Sequence, residues 1–149
     1  MKTHVYTLVN LRVAYVGYRF IFHKSPACDT CRYKNVCISR LKDGRIYEIV
    51  EVKKPSVSII CPLTNEEMYL ARVTLAPIRV LLPITISIEG STLIWRRDKC
   101  SISNCLWYRY CFPKGLKRGD LIYVKKVFKD YIKCPINLRL MLAEVIPQI

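Results

Sequence analysis

The chain has 149 residues, 52% of them hydrophobic, which suits one ordinary domain or two small ones and excludes a disordered polymer. Its 25 Lys and Arg against 11 Asp and Glu give a formal charge of +14, a self-repulsion that calls for an anionic partner: nucleic acid, an acidic protein or an anionic membrane surface. Eight cysteines is a high number for this length, and in a reducing compartment clustered thiols point to metal before disulfides.

Taken in chain order, "YTLVNLRVAYV" (6 to 16) has weak strand character. Arg12 and Arg19 interrupt the apolar run and no small-residue cleavage site follows, so the N-terminus does not read as a signal peptide. Gly17 marks a turn, expected where a side chain would clash. Cys28, Cys31 and Cys37 follow. Leu41-Lys42-x-Gly44 then introduces "RIYEIVEV" (45 to 52), a β-branched and aromatic strand. Cys61-Pro62 and Ala71-Arg72-Val73 come next. "IRVLLPITISI" (78 to 88) reads as strand; with Arg79, Pro77 and Pro83 in or beside it, it is too short and broken to span a membrane. In the second half, Gly90, Cys100, Cys105, Cys111 and Leu116-Lys117-x-Gly119 precede the strand "DLIYVKKVF" (120 to 128). Alternation there places Tyr123 inward and Lys126 in water. Cys134-Pro135 leads to "INLRLMLAEV" (136 to 145); a short helix is expected either there or around the cysteines, with no sustained helical periodicity elsewhere.

These marks repeat. Gly17 matches Gly90, Cys31 matches Cys105, Cys37 matches Cys111, the two Leu-Lys-x-Gly turns match, Cys61-Pro62 matches Cys134-Pro135, and Ala71-Arg72-Val73 matches Ala143-Glu144-Val145, at offsets of roughly 72 to 75 residues. The expected fold is therefore mainly β: two duplicated small β-barrel-like modules, 1–76 and 77–149, about a pseudo-two-fold axis, each stapled by a four-cysteine metal site. One site would take Cys28, Cys31, Cys37 and Cys61; the other Cys100, Cys105, Cys111 and Cys134. Local closure and exchange of ligands between the halves are both open.

Zinc usually takes two Cys-x2–4-Cys knuckles. Three clustered cysteines with a remote fourth before proline suit an iron–sulfur cluster, which spans more space than one ion. The cofactors expected are thus two centres, [4Fe–4S] or zinc, with disulfides of a thermophile as the remaining alternative. His23 is a possible substitute ligand, although a solvated loop histidine is the commoner case. Cys28-x2-Cys31-x5-Cys37 also resembles, over ten residues, the cluster motif of iron–sulfur helicase-nucleases. The carboxylates that accompany it there are not recognisable, so no nuclease activity is carried over.

Nearly the whole chain resembles an archaeal family, uncharacterised protein family 0179, which has eight cysteines in two repeats. The residues that carry the likeness are Val16-Gly17, Arg32 to Cys37, Ala76-Pro77-Ile78, Ile88 to Thr92 and the "GLKRGD" turn. The resemblance implies an archaeal cytoplasmic protein and no particular activity.

The charge is spread, +6 before Pro77 and +8 from it onward, so it belongs to folded surface. Basic and aromatic residues interleave in four places, and such mixtures neutralise phosphates and stack on unpaired bases. Tyr33, Arg96, Arg97, Trp107, Tyr108, Arg109, Lys125, Lys126 and Lys129 are the candidate nucleic-acid-binding residues. Buried rings beside a solvated charged face are the plainer alternative. No phosphate-binding glycine loop, nucleophile elbow or zinc-protease helix motif is present, and no acid, base and nucleophile converge in the sequence; an enzyme is not expected. The sequence-level expectation is a metal-stapled RNA-binding protein of the ribosome or another ribonucleoprotein. An acidic protein is the second choice of partner, and a membrane is not expected. The rival reading is an iron–sulfur electron carrier or redox sensor with two clusters.

Overall fold

The β-branched and aromatic runs of this sequence pair with one another as antiparallel strands, where such side chains pack well on a pleated surface. The computed structural model describes residues 4–37, 40–97, 100–102 and 104–149. The chain divides into two units, Met1–Ala76 and Pro77–Ile149.

In the first unit the elements are β1 (His4–Asn10), β2 (Arg19–Ile21), the single helical turn α1 (Lys34–Cys37), β3 (Ile46–Lys53), β4 (Ile59–Ile60) and β5 (Glu67–Leu75). The strand order is β1-β5-β3-β2, with the short β4 also on β5. In the second unit they are β6 (Ile78–Pro83), β7 (Thr92–Ile94), the helical turn α2 (Tyr108–Cys111), β8 (Leu121–Lys133) and β9 (Arg139–Pro147), in the order β6-β9-β8-β7. Among the described residues each sheet is an open path, with no pairing that closes it into a full barrel.

The second order is the first repeated, and the repeat extends to register. Val5 faces Val73 as Ile78 faces Val145, and Val9 faces Tyr69 as Leu82 faces Met141. One bulge interrupts β3 between Ile49 and Glu51, and an equivalent one interrupts β8 between Val124 and Lys126. The N–H of Gly17 donates to Ile49 O at 2.8 Å, and that of Gly90 to Val124 O at 2.8 Å. At these two glycines φ is +95° and +83°, and an added β-carbon would meet nothing within 4 Å. The expected clash is absent; left-handed backbone conformation is what selects glycine.

Each unit has its own apolar core. In the first, Ile49, Ala71 and Val73 are fully buried, with Tyr18, Phe20 and Phe22 packed around them. In the second, Val80, Ile122, Val124, Ala143 and Val145 are fully buried.

Three local expectations are corrected. The segment 136–145 contains no helix: Arg139–Pro147 is strand β9, hydrogen-bonded to β6 on one side and β8 on the other. Its Leu, Met and Ala residues favour a helix in isolation, but two flanking ladders outweigh propensities worth a few tenths of a kcal/mol per residue. The strand at 78 to 88 ends at Pro83, after which Ile84–Ile86 form a 3₁₀ turn closed by Ser87 Oγ donating to Pro83 O at 2.9 Å. Proline is tolerated there because β6 is an edge strand. The phase at the start of β8 is also reversed: Ile122 and Val124 are the buried residues and Tyr123 is half-buried, while Lys126 is exposed as expected. Among the described residues no helix is long and apolar enough to cross a membrane.

Candidate functional site

The connection between β2 and β3 carries Cys28, Cys31 and Cys37, and the turn after β4 carries Cys61. The fold brings all four to the wall of one cavity of about 430 Å³, with Arg32, Tyr33, Lys34 and Met68 beside them. Cys100, Cys105, Cys111 and Cys134 line a second cavity, of about 320 Å³, together with Arg96, Arg97, Trp107 and Tyr108. The four cysteines of each cavity come from one unit. All eight cysteines are free and half-buried. Among the described residues no three His, Cys, Asp or Glu side chains are gathered closely enough to hold a single metal ion as they stand. His23 is exposed and lies outside the first cavity's wall.

Backbone geometry explains how the cysteines are presented. In the first unit the N–H of Cys31 donates to Cys28 O, that of Lys34 to Cys31 O, and that of Cys37 to Tyr33 O. The second unit repeats this with Cys105 to Ile102 O, Tyr108 to Cys105 O and Cys111 to Trp107 O. Ile102 therefore occupies the place of Cys28, and Cys100 reaches the cavity from two residues earlier. This is the structural meaning of the change from x2 to x4 spacing. In both units the backbone N–H two residues after the middle cysteine points at its sulfur: Tyr33 to Cys31 Sγ at 3.4 Å, Trp107 to Cys105 Sγ at 3.5 Å. Hydrogen bonds of this kind stabilise thiolates and tune clusters. The remote cysteines each open a turn closed by a left-handed Asn, one residue longer in the first unit: Asn65 N–H donates to Cys61 O and Asn137 N–H to Cys134 O.

The thiols are electrostatically unequal. Burial, then the neighbouring Cys28, Cys61 and Cys31, pushes the Cys37 thiol up from 9.0 to about 11. Burial also raises Cys111 above its ordinary range, against the charge and hydrogen bond of Arg97, whose Nη2 lies 2.9 Å from Cys111 Sγ. Burial acts upward on Cys61 as well, but hydrogen bonds from Thr64 and Leu63 outweigh it and bring the thiol below its usual value. Metal binding would have to displace the proton of Cys37, so loading should weaken in acid. In the metal-free protein the raised value has a defined sign. The folded state keeps a proton that the unfolded chain releases near 9.0, so this stabilisation is intact below pH 9 and lost as pH rises through about 11. The denaturation midpoint of the metal-free first unit should fall over that interval; a flat profile there would refute the Cys37 environment described.

The candidate nucleic-acid-binding residues form separate groups. Tyr33 stands in the first cavity wall, with the Arg32 guanidinium 4.9 Å above its ring. Arg96, Arg97, Trp107 and Tyr108 stand in the second. Arg109 is exposed and lies over Tyr110 at 4.9 Å, while Trp107 packs against Tyr110 and Tyr108 against Phe112. Lys125, Lys126 and Lys129 are exposed on β8, Lys129 at a left-handed position where the strand is irregular. Sequence reasoning missed two neighbours of that group. The Phe128 ring is flanked by Lys126 and by Arg79, each 5.0 Å from its centre. The signal available was Arg79 itself, a lone charge in an apolar strand. The engagement of Arg97 with a thiol was also missed and has no sequence signal.

Comparison with known proteins gives a consistent result. The family described as Uncharacterised protein family (UPF0179) matches residues 5–145. A UPF0179 protein of Archaeoglobus fulgidus is 32% identical over 127 residues, covering 85% of this chain and 82% of its own. One from Pyrobaculum arsenaticum is 37% identical over 124 residues, covering 83% and 70%. One from Methanocaldococcus jannaschii is 27% identical over 143 residues, covering 94% and 93%. No solved structure matches. A match across almost the whole chain, shared with full-length archaeal relatives, shows that this protein belongs to the UPF0179 family.

Proposed function

We propose that the protein is a basic RNA-binding module whose two units are each organised around a four-cysteine metal centre, iron–sulfur or zinc. One observation carries this reading. In both units thiols from distant points of the chain ring a cavity whose wall also carries basic and aromatic side chains. A metal would fix the loops that present those side chains, and the charge of +14 supplies the attraction for phosphate.

Binding of a fluorescent single-stranded RNA at two salt concentrations tests it. With about six phosphates neutralised, log K should fall against log salt with a slope of roughly −4. The double substitution Lys125→Glu, Lys126→Glu should weaken binding with metal content unchanged, since neither residue lines a thiol cavity. Trp107→Ala should lose about 1–3 kcal/mol that salt does not modulate, as expected for stacking. Wild-type protein that binds no RNA at low salt would eliminate the reading and redirect the charge to an acidic protein partner.

The second reading, an iron–sulfur electron carrier or redox sensor, is favoured by the order of three clustered cysteines with a remote fourth, all lining one cavity, and by the hydrogen bonds aimed at Cys31, Cys105 and Cys111. Protein purified without air separates the two. Brown colour with iron supports the redox role; a colourless protein with stoichiometric zinc removes it.

A further inference from the structure

The two units differ at one equivalent position beside their thiols. Trp95 takes the place of Phe22: the N–H of Gly119 donates to Trp95 O at 2.8 Å, as that of Gly44 donates to Phe22 O at 2.7 Å. Two residues further on, Arg97 takes the place of Lys24. Arg97 lies in the wall of the second cavity and its Nη2 donates to Cys111 Sγ at 2.9 Å. Lys24 is turned elsewhere. Its Nζ lies 3.0 Å from Asp29 Oδ1 in an exposed ion pair, and it is not part of the first cavity's wall. Among the described residues no cation acts on the thiol of Cys37, the counterpart of Cys111; Thr7 Oγ1 donates to Cys37 O at 2.6 Å, where the second unit has Val80.

We propose that Arg97 is a positioning residue for the second four-thiol centre, that it tightens metal binding there, and that the first centre has no equivalent. The inference rests on the reading of the cysteine cavities as metal centres. Thiolates gathered on a metal centre are negatively charged and repel one another. A guanidinium donating to one sulfur offsets that charge and holds the cysteine in one orientation. Partners of metal ligands typically contribute 10–100-fold to affinity. Lysine at position 24 could not do the same from its present contact, because its ammonium is committed to a carboxylate.

Cobalt(II) titration of the metal-free, reduced full-length protein under anaerobic conditions tests this, with a competing chelator to set the scale. Cys61→Ser confines the thiolate-to-cobalt absorption to the second centre. In that background Arg97→Gln should weaken cobalt binding 10–100-fold and move the charge-transfer band to lower energy, since a sulfur freed of its donor gives up electrons more readily. Arg97→Lys should recover part of both effects. In a Cys134→Ser background, which leaves the first centre, Lys24→Gln should change neither affinity nor band. Unchanged affinity in Arg97→Gln, or an equal loss in Lys24→Gln, would overturn the inference while leaving the metal centres standing. A wild-type protein with no thiolate-to-cobalt band at either centre would overturn both.

Discussion

Cys61→Ala is expected to remove one of two metal equivalents and to loosen the first unit, while the second centre stays loaded. The expectation follows from where Cys61 sits. It is the one thiol of its cavity that does not come from the stretch between β2 and β3, so it alone ties the turn after β4 to that stretch. Structural zinc contributes roughly 10–16 kcal/mol in peptide systems, as much as the whole stability of a typical domain. A unit of this size buries a modest core, and a metal staple is the usual supplement. Metal analysis and fluorescence together read the result. Both tryptophans, Trp95 and Trp107, lie in the second unit, so indole emission should keep the wild-type transition while far-UV dichroism loses amplitude from the first. Full retention of two metal equivalents in Cys61→Ala would remove Cys61 from the ligand set. Loss of both equivalents would mean that the centres do not load separately.

The duplication was the most legible feature of this sequence, and its physical basis is now visible. The matching glycines, cysteines and Leu-Lys-x-Gly turns are positions where backbone conformation or thiol placement leaves little choice of residue. Gly17 and Gly90 are left-handed, and Gly44 and Gly119 close the turns that begin β3 and β8. Ala71-Arg72-Val73 and Ala143-Glu144-Val145 are the middle of β5 and β9, so the internal match marks equivalent strands in the two units, although composition alone suggested a helix at the second. The bulges were not legible. Before the bulge in β8, Ile122 and Val124 face the core; Lys125 and Lys126 then share the step opposite Glu144, and simple alternation no longer predicts which side chain is inside. Both alternating sets, Leu121-Tyr123-Lys125 and Ile122-Val124-Lys126, contain apolar residues, and only pairing with β7 and β9 chooses between them. In the candidate site, the grouping of each four cysteines was readable from their order. The contacts of Arg97 and of Phe128 were not, because they depend on side chains brought together from distant strands and loops.

Ile49→Ala and Ile122→Ala should each destabilise their own unit by about 2–5 kcal/mol, the cost of an unfilled cavity in a packed core. Both side chains are 0% exposed; Ile49 directly precedes the bulge of β3, and Ile122 lies two residues before Val124, where the bulge of β8 begins. In a domain of this size each kcal/mol moves the thermal midpoint by roughly 4–8 °C, so the shifts are large enough to tell apart. The tryptophans again separate the units. Ile122→Ala should lower the midpoint seen by indole fluorescence, because Trp95 is buried in the same unit and its backbone N–H donates to Asp120 O at 2.6 Å, at the entry to β8. Ile49→Ala should lower the midpoint of the part of the dichroism that fluorescence does not follow. Each unit has its own ladder and its own fully buried residues, and this is the physical ground for expecting two transitions. If Ile49→Ala shifts the tryptophan transition as far as Ile122→Ala does, the two units unfold as one, and the duplicated sheets share a stability that neither core supplies alone.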